Sequence, residues 1–300
     1  MGRNSTVHCI VPKAGLGNQL FPIMHALVFA HLNNLPVVFT GYHQLKTGVY
    51  FRQEKVKRRY SGYFNFHKNW ISEVGDKLRL KFFHRGEKVY EPALEVMGPG
   101  LSENKIFLFS ALPSSKSYFE KLKPHRELAI RLFQEALRPW IDEKLKVIPN
   151  PQVGVHIRMG DFRKLAANEV YNGGHVRTPE AYYTDIIAQM LEWNPSLNFS
   201  VFTDGYRHEF EKLFNFTNVR MVEGNRDIID LLLLSRSKVI IGTYGSTFSY
   251  WAGFISDAPF IMHRFLKQSA IRPDSMKERI FEGPFSSENK VLEDIVKGIR

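Results

Sequence analysis

The amino-acid sequence predicts an α/β protein with two Rossmann-like domains facing a cleft. In the C-terminal half, short apolar runs alternate with helical segments from Val153 onward, a pattern typical of parallel sheets with helices on both faces. The N-terminal half begins in the same way, with a strand, a glycine turn, a helix and a second strand. The linker between the halves is segment 144–151, which carries two prolines, so we predict domains at residues 1–148 and 149–300.

In the N-terminal half, apolar runs and their spacing predict strands at 7–11, 37–40 and 105–109. The same reasoning predicts helices at 18–33, 116–123 and 126–139. Residues 42–104 are irregular and aromatic-rich, and we expect them to shape an acceptor pocket.

In the C-terminal half, five apolar runs predict strands at 153–157, 199–203, 218–222, 238–242 and 259–262. Helices are predicted between them at 179–193, 207–214, 227–236 and 247–255. Thr178 is predicted to cap the first of these helices, because proline and an acidic residue follow it directly.

The composition is that of a globular protein, with 44% hydrophobic and 24% charged residues. A chain of 300 residues is long enough for two hydrophobic cores. The single cysteine, Cys9, excludes an intramolecular disulfide and favours a reducing compartment. No apolar run has the length of a membrane span or the form of a signal peptide, so a cytoplasmic location is expected.

The net charge of +11 suits a partner that carries phosphates, an anionic membrane surface or nucleic acid. Lys55, Lys57, Arg58 and Arg59 form a basic cluster, which fits a solvated loop, membrane contact or RNA binding. No RNP-like aromatic pair, zinc knuckle or helix-turn-helix pattern supports a nucleic-acid partner, and none is expected. Peripheral association with a membrane through the basic surface is the remaining macromolecular prediction.

Arg158 follows the predicted strand 153–157, in the order His-Ile-Arg-Met-Gly-Asp-Phe. Ligands of open α/β sheets bind beyond the carboxyl ends of the strands, so the guanidinium lies where an anion would bind. A guanidinium also grips two phosphate oxygens at once. The alternative is that Arg158 forms a salt bridge to the other domain.

The segment Gly15-Leu16-Gly17-Asn18-Gln19-Leu20 lies between the first predicted strand and helix. It is neither a dinucleotide fingerprint nor a P-loop, since the third glycine and the Gly-Lys-Ser/Thr ending are missing. A tight turn that exposes backbone N–H groups and the Asn18 amide would bind an anion. Alternatively, Gly15 and Gly17 only permit the turn.

Two aspartates lie at positions where a carboxylate invites a ligand. Asp204 directly follows the predicted strand 199–203. Its carboxylate would either accept hydrogen bonds from a sugar or a base, or cap the next helix. Asp230 interrupts an apolar helix, and a carboxylate there either holds the two adjacent N–H donors of guanine or lies on an exposed face.

Residues 242–251 read Gly-Thr-Tyr-Gly-Ser-Thr-Phe-Ser-Tyr-Trp and follow the strand 238–242. A strand, a glycine turn, hydroxyl groups and a helix in this order are typical of a phosphate-binding arrangement. Ser246 and Thr247 would cap the helix and donate to phosphate oxygens; plain N-capping is the alternative.

Other kinds of site are excluded by the sequence. No histidine pair has metal-ligand spacing, one cysteine cannot form a thiolate site, and no close acidic pair marks a metal-dependent sugar-nucleotide site. No metal is therefore expected. The absence of a Gly-X-Ser-X-Gly elbow argues against a serine hydrolase.

Four segments together resemble the α-1,2-fucosyltransferases, and more distantly the α-1,6- and protein O-fucosyltransferases. HIRMGDF resembles that family's His-X-Arg-Arg-Gly-Asp-Tyr signature, and GLGNQLF resembles its opening motif. SALPSSKSYFE and IIDLLLLSRSKVIIGTYGSTFSYWAGF resemble two later blocks. The order and spacing agree from about residue 12 to 262, so the resemblance covers nearly the whole chain.

The resemblance implies a GT-B fold, GDP-fucose as donor and inverting transfer without a metal or other cofactor. It implies that Arg158 holds the β-phosphate, and that His156 and Asp230 contact guanine or ribose. The remaining donor-binding residues are Gly17, Asn18, Asp204, Ser246, Thr247 and Phe248. Relatives resident in the Golgi carry an N-terminal anchor, so a trimmed luminal domain is the alternative to a cytoplasmic enzyme.

The chain departs from the family pattern beside Arg158. Met159 replaces a second arginine and Phe162 replaces a tyrosine, so one positive charge is missing near the predicted donor site. No acidic residue stands out as general base: Asp161, Glu169 and Asp204 are equal candidates, or the acceptor loses its proton without a dedicated base. In the predicted catalytic set we place Arg158 and Asp161.

The leading hypothesis is a fucosyltransferase that moves L-fucose from GDP-fucose to a sugar hydroxyl, galactose O-2 in an α-1,2 linkage. The acceptor would be an oligosaccharide, glycolipid or glycoprotein. A GT-B enzyme that uses another GDP-sugar or forms another linkage is the second hypothesis. An inactive carbohydrate- or nucleotide-binding module is the third.

Overall fold

A computed structural model describes residues 5–44, 59–83, 86–95, 104–266 and 270–300. The described residues up to Asp142 form one compact unit, and those from Glu143 to Arg300 form a second. Most of the basic cluster, Lys55, Lys57 and Arg58, lies outside the described residues.

The first unit contains a parallel sheet of four described strands in the order β2-β1-β4-β3. The two inner strands carry the buried positions, as expected for a sheet with helices on its faces. The strands are β1 (Thr6–Ile10), β2 (Val37–Thr40), β3 (Glu87–Tyr90) and β4 (Lys105–Phe109).

The described helices that lie within the first unit are α1 (Leu16–Leu32), α2 (Trp70–Leu78) and α3 (Arg126–Ala136), whereas α4 (Pro139–Lys146) begins in the first unit and ends in the second. Helix α1 is buried along most of its length and packs against β1 and α3. A helix that is buried on most of its sides is apolar around most of its circumference, which explains why most residues of α1 are hydrophobic. A π-helical turn, Arg79–Phe83, extends α2.

The second unit contains a parallel sheet of six strands in the order β7-β6-β5-β8-β9-β10. Numbered within this unit, the order is the 3-2-1-4-5-6 order of the Rossmann fold. The two strands that follow β5 are therefore added on one side of it and the next three on its other side, so the strand order reverses between β5 and β8, which are parallel neighbours in the sheet. The strands are β5 (Val153–Ile157), β6 (Phe199–Thr203), β7 (Val219–Met221), β8 (Val239–Ile241), β9 (Phe260–Met262) and β10 (Glu282–Pro284).

The helices of the second unit are α5 (Glu180–Trp193), α6 (Asp227–Ser235), α7 (Thr247–Ile255) and α8 (Lys290–Lys297). Helix α5 packs against α8, and α6 packs against α7. The core of this unit is formed by β5, β6, β8 and the inner faces of the helices around them.

The α/β class and the parallel sheets predicted from the sequence are confirmed, and several local predictions are wrong. Residues 116–123 form turns rather than a helix, and residues 207–215 contain two short 3-10 helices instead of one α-helix. Helix α5 begins at Glu180 with Pro179 at its N-cap, so Thr178 does not cap it.

Five helices and strands were not predicted: α2, α4, β3, β10 and α8. The two strands are short edge strands with exposed positions, so they lack an apolar run, and β10 ends on a proline that only an edge tolerates. The start of the predicted linker 144–151 is helical, since α4 extends to Lys146.

Among the described residues, no helix combines the length and the apolar character needed to cross a bilayer.

Candidate functional site

The carboxyl ends of β5 and β8 lie side by side where the strand order of the second sheet reverses. In Rossmann-like sheets this position opens a crevice, because the connections from the two strands leave toward opposite faces. The segment 156–162 covers the end of β5 and the turn after it, and the segment 242–248 follows β8. Both sequence motifs therefore meet at the place where such a sheet binds ligands.

Arg158 is held by two carboxylates of its own unit. Its Nη1 donates to Asp204 Oδ2, and its Nη2 donates to Asp161 Oδ1 at 2.5 Å. The guanidinium carbon also lies 5.9 Å from the centre of the Phe162 ring. The predicted salt bridge to the other domain is not what these two contacts form: both carboxylates belong to the second unit and hold the guanidinium at the end of β5.

Asp204 organises the turn that carries Arg158. Beside Arg158, it accepts hydrogen bonds from the backbone N–H groups of Met159 (2.7 Å) and Gly160 (3.2 Å). Strands β5 and β6 pair in register up to Ile157 and Thr203, so Asp204, the residue that follows β6, lies beside this turn. The structure therefore assigns Asp204 a positioning contact and not the helix cap that was the alternative.

Met159 and Phe162, the two departures from the family pattern, are both buried. The Met159 side chain belongs to the core of the second unit and packs against Gly205. Phe162 packs edge-on against His175 with ring centres 5.5 Å apart. A second arginine at position 159 would bury its charge in this core, which is costly without a partner.

His156 and Phe248 connect the two motifs across the sheet. Their rings stack with centres 4.9 Å apart and an angle of 23° between the planes. His156 Nδ1 is buried and has no hydrogen-bond partner in the structure. Burial, together with the positive charge of Arg158, lowers the pKa of His156 to about 3, so the ring is neutral near pH 7.

The lowered pKa of His156 predicts a pH-dependent stability. The unfolded chain takes up a proton below the ordinary value of 6.5, whereas the folded chain does so only near 3. The free energy of unfolding therefore falls as the pH is lowered through this window, by at most about 1.4 kcal/mol per pH unit for this group.

The variant His156→Phe keeps a ring against Phe248 and removes this titration. Urea unfolding at several pH values between 7 and 4 should show a shallower decline of stability for the variant than for the wild type. Equal slopes would contradict the burial of an uncharged His156.

The turn after β8 is closed by internal hydrogen bonds. Gly245 has φ +68°, a left-handed conformation that glycine adopts without strain, and its N–H donates to the Tyr250 hydroxyl at 2.7 Å. The N–H of Tyr244 donates to Thr178 Oγ1 at 3.3 Å. These two N–H groups are satisfied within the protein, so an anion at this turn would use the N-terminal turn of α7.

Ser246 occupies the N-cap position of α7, but its side chain makes no capping hydrogen bond. The prediction that its hydroxyl caps the helix is therefore wrong. Thr247 and Phe248 follow as the first helical residues and are half-buried. The backbone N–H groups and the dipole at this end of α7 favour a negative charge.

Residues 163–178 form a loop that folds against the turn after β8. Gly173 has φ +90°, and a Cβ atom there would lie 2.5 Å from Tyr244 Cζ, so only glycine permits this approach. Within the loop, Arg163 donates to both carboxylate oxygens of Glu169, at 2.6 and 2.5 Å. The hydrogen bonds from Arg163 lower the pKa of Glu169 to about 2.

Asp230 lies in the N-terminal part of α6, half-buried, where its Oδ1 accepts a hydrogen bond from Asn225 Nδ2 at 3.1 Å. Because α6 packs against α7, its carboxylate and the 246–248 segment occupy neighbouring helices. The positive end of a helix dipole stabilises the ionised carboxylate.

Gly17 and Asn18 lie in the first unit, inside helix α1 rather than before it. The helix begins at Leu16 with Gly15 as its N-cap residue, two positions earlier than predicted. Gly17 is therefore a buried helical residue, and Asn18 is half-buried in the first turn. No side chain caps this helix at Gly15.

The sequence reasoning missed a buried network of hydroxyl groups behind the turn. Thr243 Oγ1 accepts from the Tyr183 hydroxyl at 2.5 Å and lies 3.1 Å from Thr178 Oγ1. This network ties the start of α5 to the end of β8. The position of Thr243 directly after β8 was visible in the sequence, but its partners are distant in the chain and only the fold brings them together.

Among the described residues, no group of three or more His, Cys, Asp or Glu side chains is arranged to hold a metal ion.

The architecture, two α/β units with parallel sheets, is that of the GT-B fold. The fold is similar to that of NodZ α-1,6-fucosyltransferase soaked with GDP-fucose, with 13% identity over 88% of this chain and 97% of that chain and a TM-score of 0.50. It is equally similar to fucosyltransferase NodZ from Bradyrhizobium, with 13% identity, 84% and 94% coverage and a TM-score of 0.50.

A weaker likeness is to POFUT1 in complex with GDP-fucose, with 15% identity, coverage of 91% and 97% and a TM-score of 0.46. No protein-family profile matches the sequence, and no curated protein matches it. The likeness to the NodZ structures, at 13% identity, establishes the fold alone and confirms the predicted GT-B architecture.

Proposed function

We propose that this protein is an inverting fucosyltransferase that moves L-fucose from GDP-fucose to a sugar hydroxyl, galactose O-2, without a metal. The observation that carries the proposal is the convergence of Arg158, the His156–Phe248 stack and the N-terminus of α7 where the strand order reverses. A guanidinium, an aromatic face and a helix N-terminus are the groups that recognise a nucleoside diphosphate.

In the proposed reaction, the acceptor oxygen forms a bond to C1 of fucose while the bond from C1 to the β-phosphate oxygen breaks. The electron pair of that bond leaves with GDP, so negative charge grows on the β-phosphate. Arg158, already held at the end of β5 by Asp204, would neutralise this charge. A preorganised donor aimed at developing charge is the largest contribution available without a metal.

Donor binding would change the partners of Arg158. A diphosphate competes with Asp161 and Asp204 for the same guanidinium. Asp204 retains two backbone N–H donors when Arg158 turns to a phosphate, whereas Asp161 is the more exposed of the two. We therefore propose that the phosphate displaces Asp161.

Asp161 is also the candidate base that the contacts favour. Glu169 is engaged by Arg163 and has a pKa of about 2, which makes it a weak proton acceptor. Asp204 is committed to the turn at residues 159–160. The proton of the acceptor hydroxyl would pass to Asp161 once the diphosphate has released that carboxylate from Arg158.

The first test is donor binding. The NodZ and POFUT1 structures contain GDP-fucose, and the shared fold supports a GDP-sugar as the donor here. Thermal denaturation with GDP, GDP-fucose and GDP-mannose should show stabilisation by GDP and by GDP-fucose, and chelation with EDTA should not abolish it. Absence of any shift with GDP would refute the donor assignment.

The Phe248→Ala variant tests whether the Phe248 ring contacts the GDP part of the donor. Loss of an aromatic contact is worth about 0.5–1.5 kcal/mol beyond its buried area, so GDP affinity should fall by roughly fivefold or more. Tyr90→Ala, which removes an exposed ring in the first unit, is the control and should leave GDP affinity unchanged. Equal affinities in wild type and Phe248→Ala would contradict this site.

One observation favours the alternative of an inactive binding module. Arg158 is paired with two carboxylates, and Met159 is buried where the family has a second arginine. Release of GDP from GDP-fucose in the presence of simple galactosides separates the two proposals. Release with another GDP-sugar only would favour the alternative GT-B transferase with a different donor.

A further inference from the structure

Helix α2 presents an apolar stripe to solvent. Trp70, Ile71, Val74 and Leu78 are 64%, 65%, 42% and 47% exposed. At about 100° per residue these four positions cover one side of the helix, about 100° wide. Isolated exposed apolar residues are common, but four large ones on one helical face mark an interaction surface. We call this surface the α2 stripe.

A buried carboxylate beside the stripe fixes the orientation of the helix. Glu73 accepts hydrogen bonds from Gly41 N–H at 2.7 Å, from His43 N–H at 3.1 Å and from His43 Nδ1 at 2.8 Å. Lys77 also pairs with it at 2.5 Å. These bonds fasten α2 to the end of β2, and Asn69 caps the helix by accepting from Ser72 N–H. The outward direction of the stripe is therefore fixed by specific contacts.

The excess positive charge of the chain is concentrated in the part of the sequence that contains this helix. Residues 42–90 contain twelve Lys and Arg residues against four Asp and Glu residues, which accounts for +8 of the total of +11. Of the basic residues, Lys68, Lys77, Arg79 and Lys81 lie in or directly beside α2. An apolar stripe containing tryptophan and bordered by lysine and arginine is the pattern of a helix that lies in the interface of a bilayer.

We propose that the α2 stripe docks this protein on an anionic lipid surface. Trp70, Ile71, Val74 and Leu78 would enter the boundary between headgroups and acyl chains, and the basic residues beside them would contact anionic headgroups. A lipid surface is favoured over a second copy of the chain, because two copies joined through this helix would bring the basic groups beside it together. This proposal does not depend on the proposed transferase function.

Vesicle flotation tests the proposal with the full chain and with no donor or acceptor present. Phosphatidylcholine vesicles containing about 30 mol% phosphatidylserine should bind the wild type, and pure phosphatidylcholine vesicles should bind it much less. The double variant Ile71→Ser/Val74→Ser should lower the partition coefficient at least about tenfold, since it removes two apolar side chains from the contact. Arg79→Glu/Lys81→Glu should lower it comparably and weaken its dependence on salt.

The matched control is Val147→Ser/Val291→Ser, which replaces two exposed valines of the second unit (76% and 62% exposed) and should bind as the wild type does. Each variant should fold, because all substituted side chains are exposed, and thermal denaturation checks this. Tryptophan emission reports insertion directly: vesicles should shift the wild-type spectrum to the blue, and Trp70→Phe should abolish the shift while retaining binding.

Three results would overturn the proposal. The first is no binding of the wild type to anionic vesicles. The second is binding that the charge variant weakens while Ile71→Ser/Val74→Ser does not, since the stripe would then lie outside the contact. The third is a dimer in light scattering that the stripe variant dissociates, which would assign the surface to a second copy.

Discussion

Replacing Arg158 with alanine is expected to lower the turnover of GDP-fucose by at least about 100-fold, the usual effect of removing one donor that stabilises charge in a transition state. The guanidinium lies at the carboxyl end of β5, and Asp161 and Asp204 hold it there before any substrate binds. Arg158→Lys should recover only part of the loss, since an ammonium group cannot contact two phosphate oxygens in one plane. The measurement is the rate of GDP release at saturating acceptor.

The matched control for this variant is Arg163→Ala, which removes an exposed arginine of the adjoining loop and its pair with Glu169. Exposed ion pairs contribute little, so turnover should change by less than about fivefold. Circular dichroism and GDP binding of Arg158→Ala distinguish a lost contact from misfolding. Turnover of a folded Arg158→Ala protein near the wild-type rate would remove Arg158 from the mechanism.

Asp161→Asn separates two roles of one carboxylate. As the base, Asp161 is expected to contribute between about 10² and 10⁴ to the rate. As a competitor of the diphosphate for Arg158, it weakens donor binding, so the variant should bind GDP more tightly while turning over more slowly. The acidic limb of the pH–rate profile should also disappear in the variant.

Glu169→Gln is the comparison for Asp161→Asn, because it removes another carboxylate that was a candidate base, half-buried in the loop after β5. Its pairing with Arg163 predicts a small effect on turnover. A carboxylate that only positions Arg158 would leave the pH–rate profile of Asp161→Asn unchanged in shape. That result, or turnover within tenfold of the wild type, would contradict the assignment of the base.

Much of the second unit could be predicted from the sequence, because its inner strands are buried on both faces. The mainly apolar segments 153–157 and 199–203 coincide with the observed strands β5 and β6. The edge strands β3 and β10 were missed for the same physical reason, since a strand with one exposed edge needs no apolar run.

The arrangement of the site was less predictable than its composition. Arg158 and Asp204 are adjacent only because β5 and β6 pair in register, a contact between residues 46 positions apart in the chain. The motif alone left Asp204 open between a ligand contact and a helix cap. The burial of Met159 likewise depends on Gly205, which follows Asp204 in the turn after β6.

Helix α2 shows a different limit of sequence patterns. Its apolar residues recur at helical spacing, yet they face solvent while Glu73 is buried. A periodic apolar pattern predicts a face but does not say what covers it. Here the hydrogen bonds to Gly41 and His43 determine which side is turned inward.

The most direct test of the proposed function is a transfer reaction with GDP-fucose and a galactoside, with EDTA present and the product analysed by NMR. We expect one product in which L-fucose is joined to galactose O-2 in an α linkage, formed at the same rate with and without the chelator. A wild-type protein that binds GDP but releases none from GDP-fucose, with any galactoside or other sugar acceptor, would contradict the account.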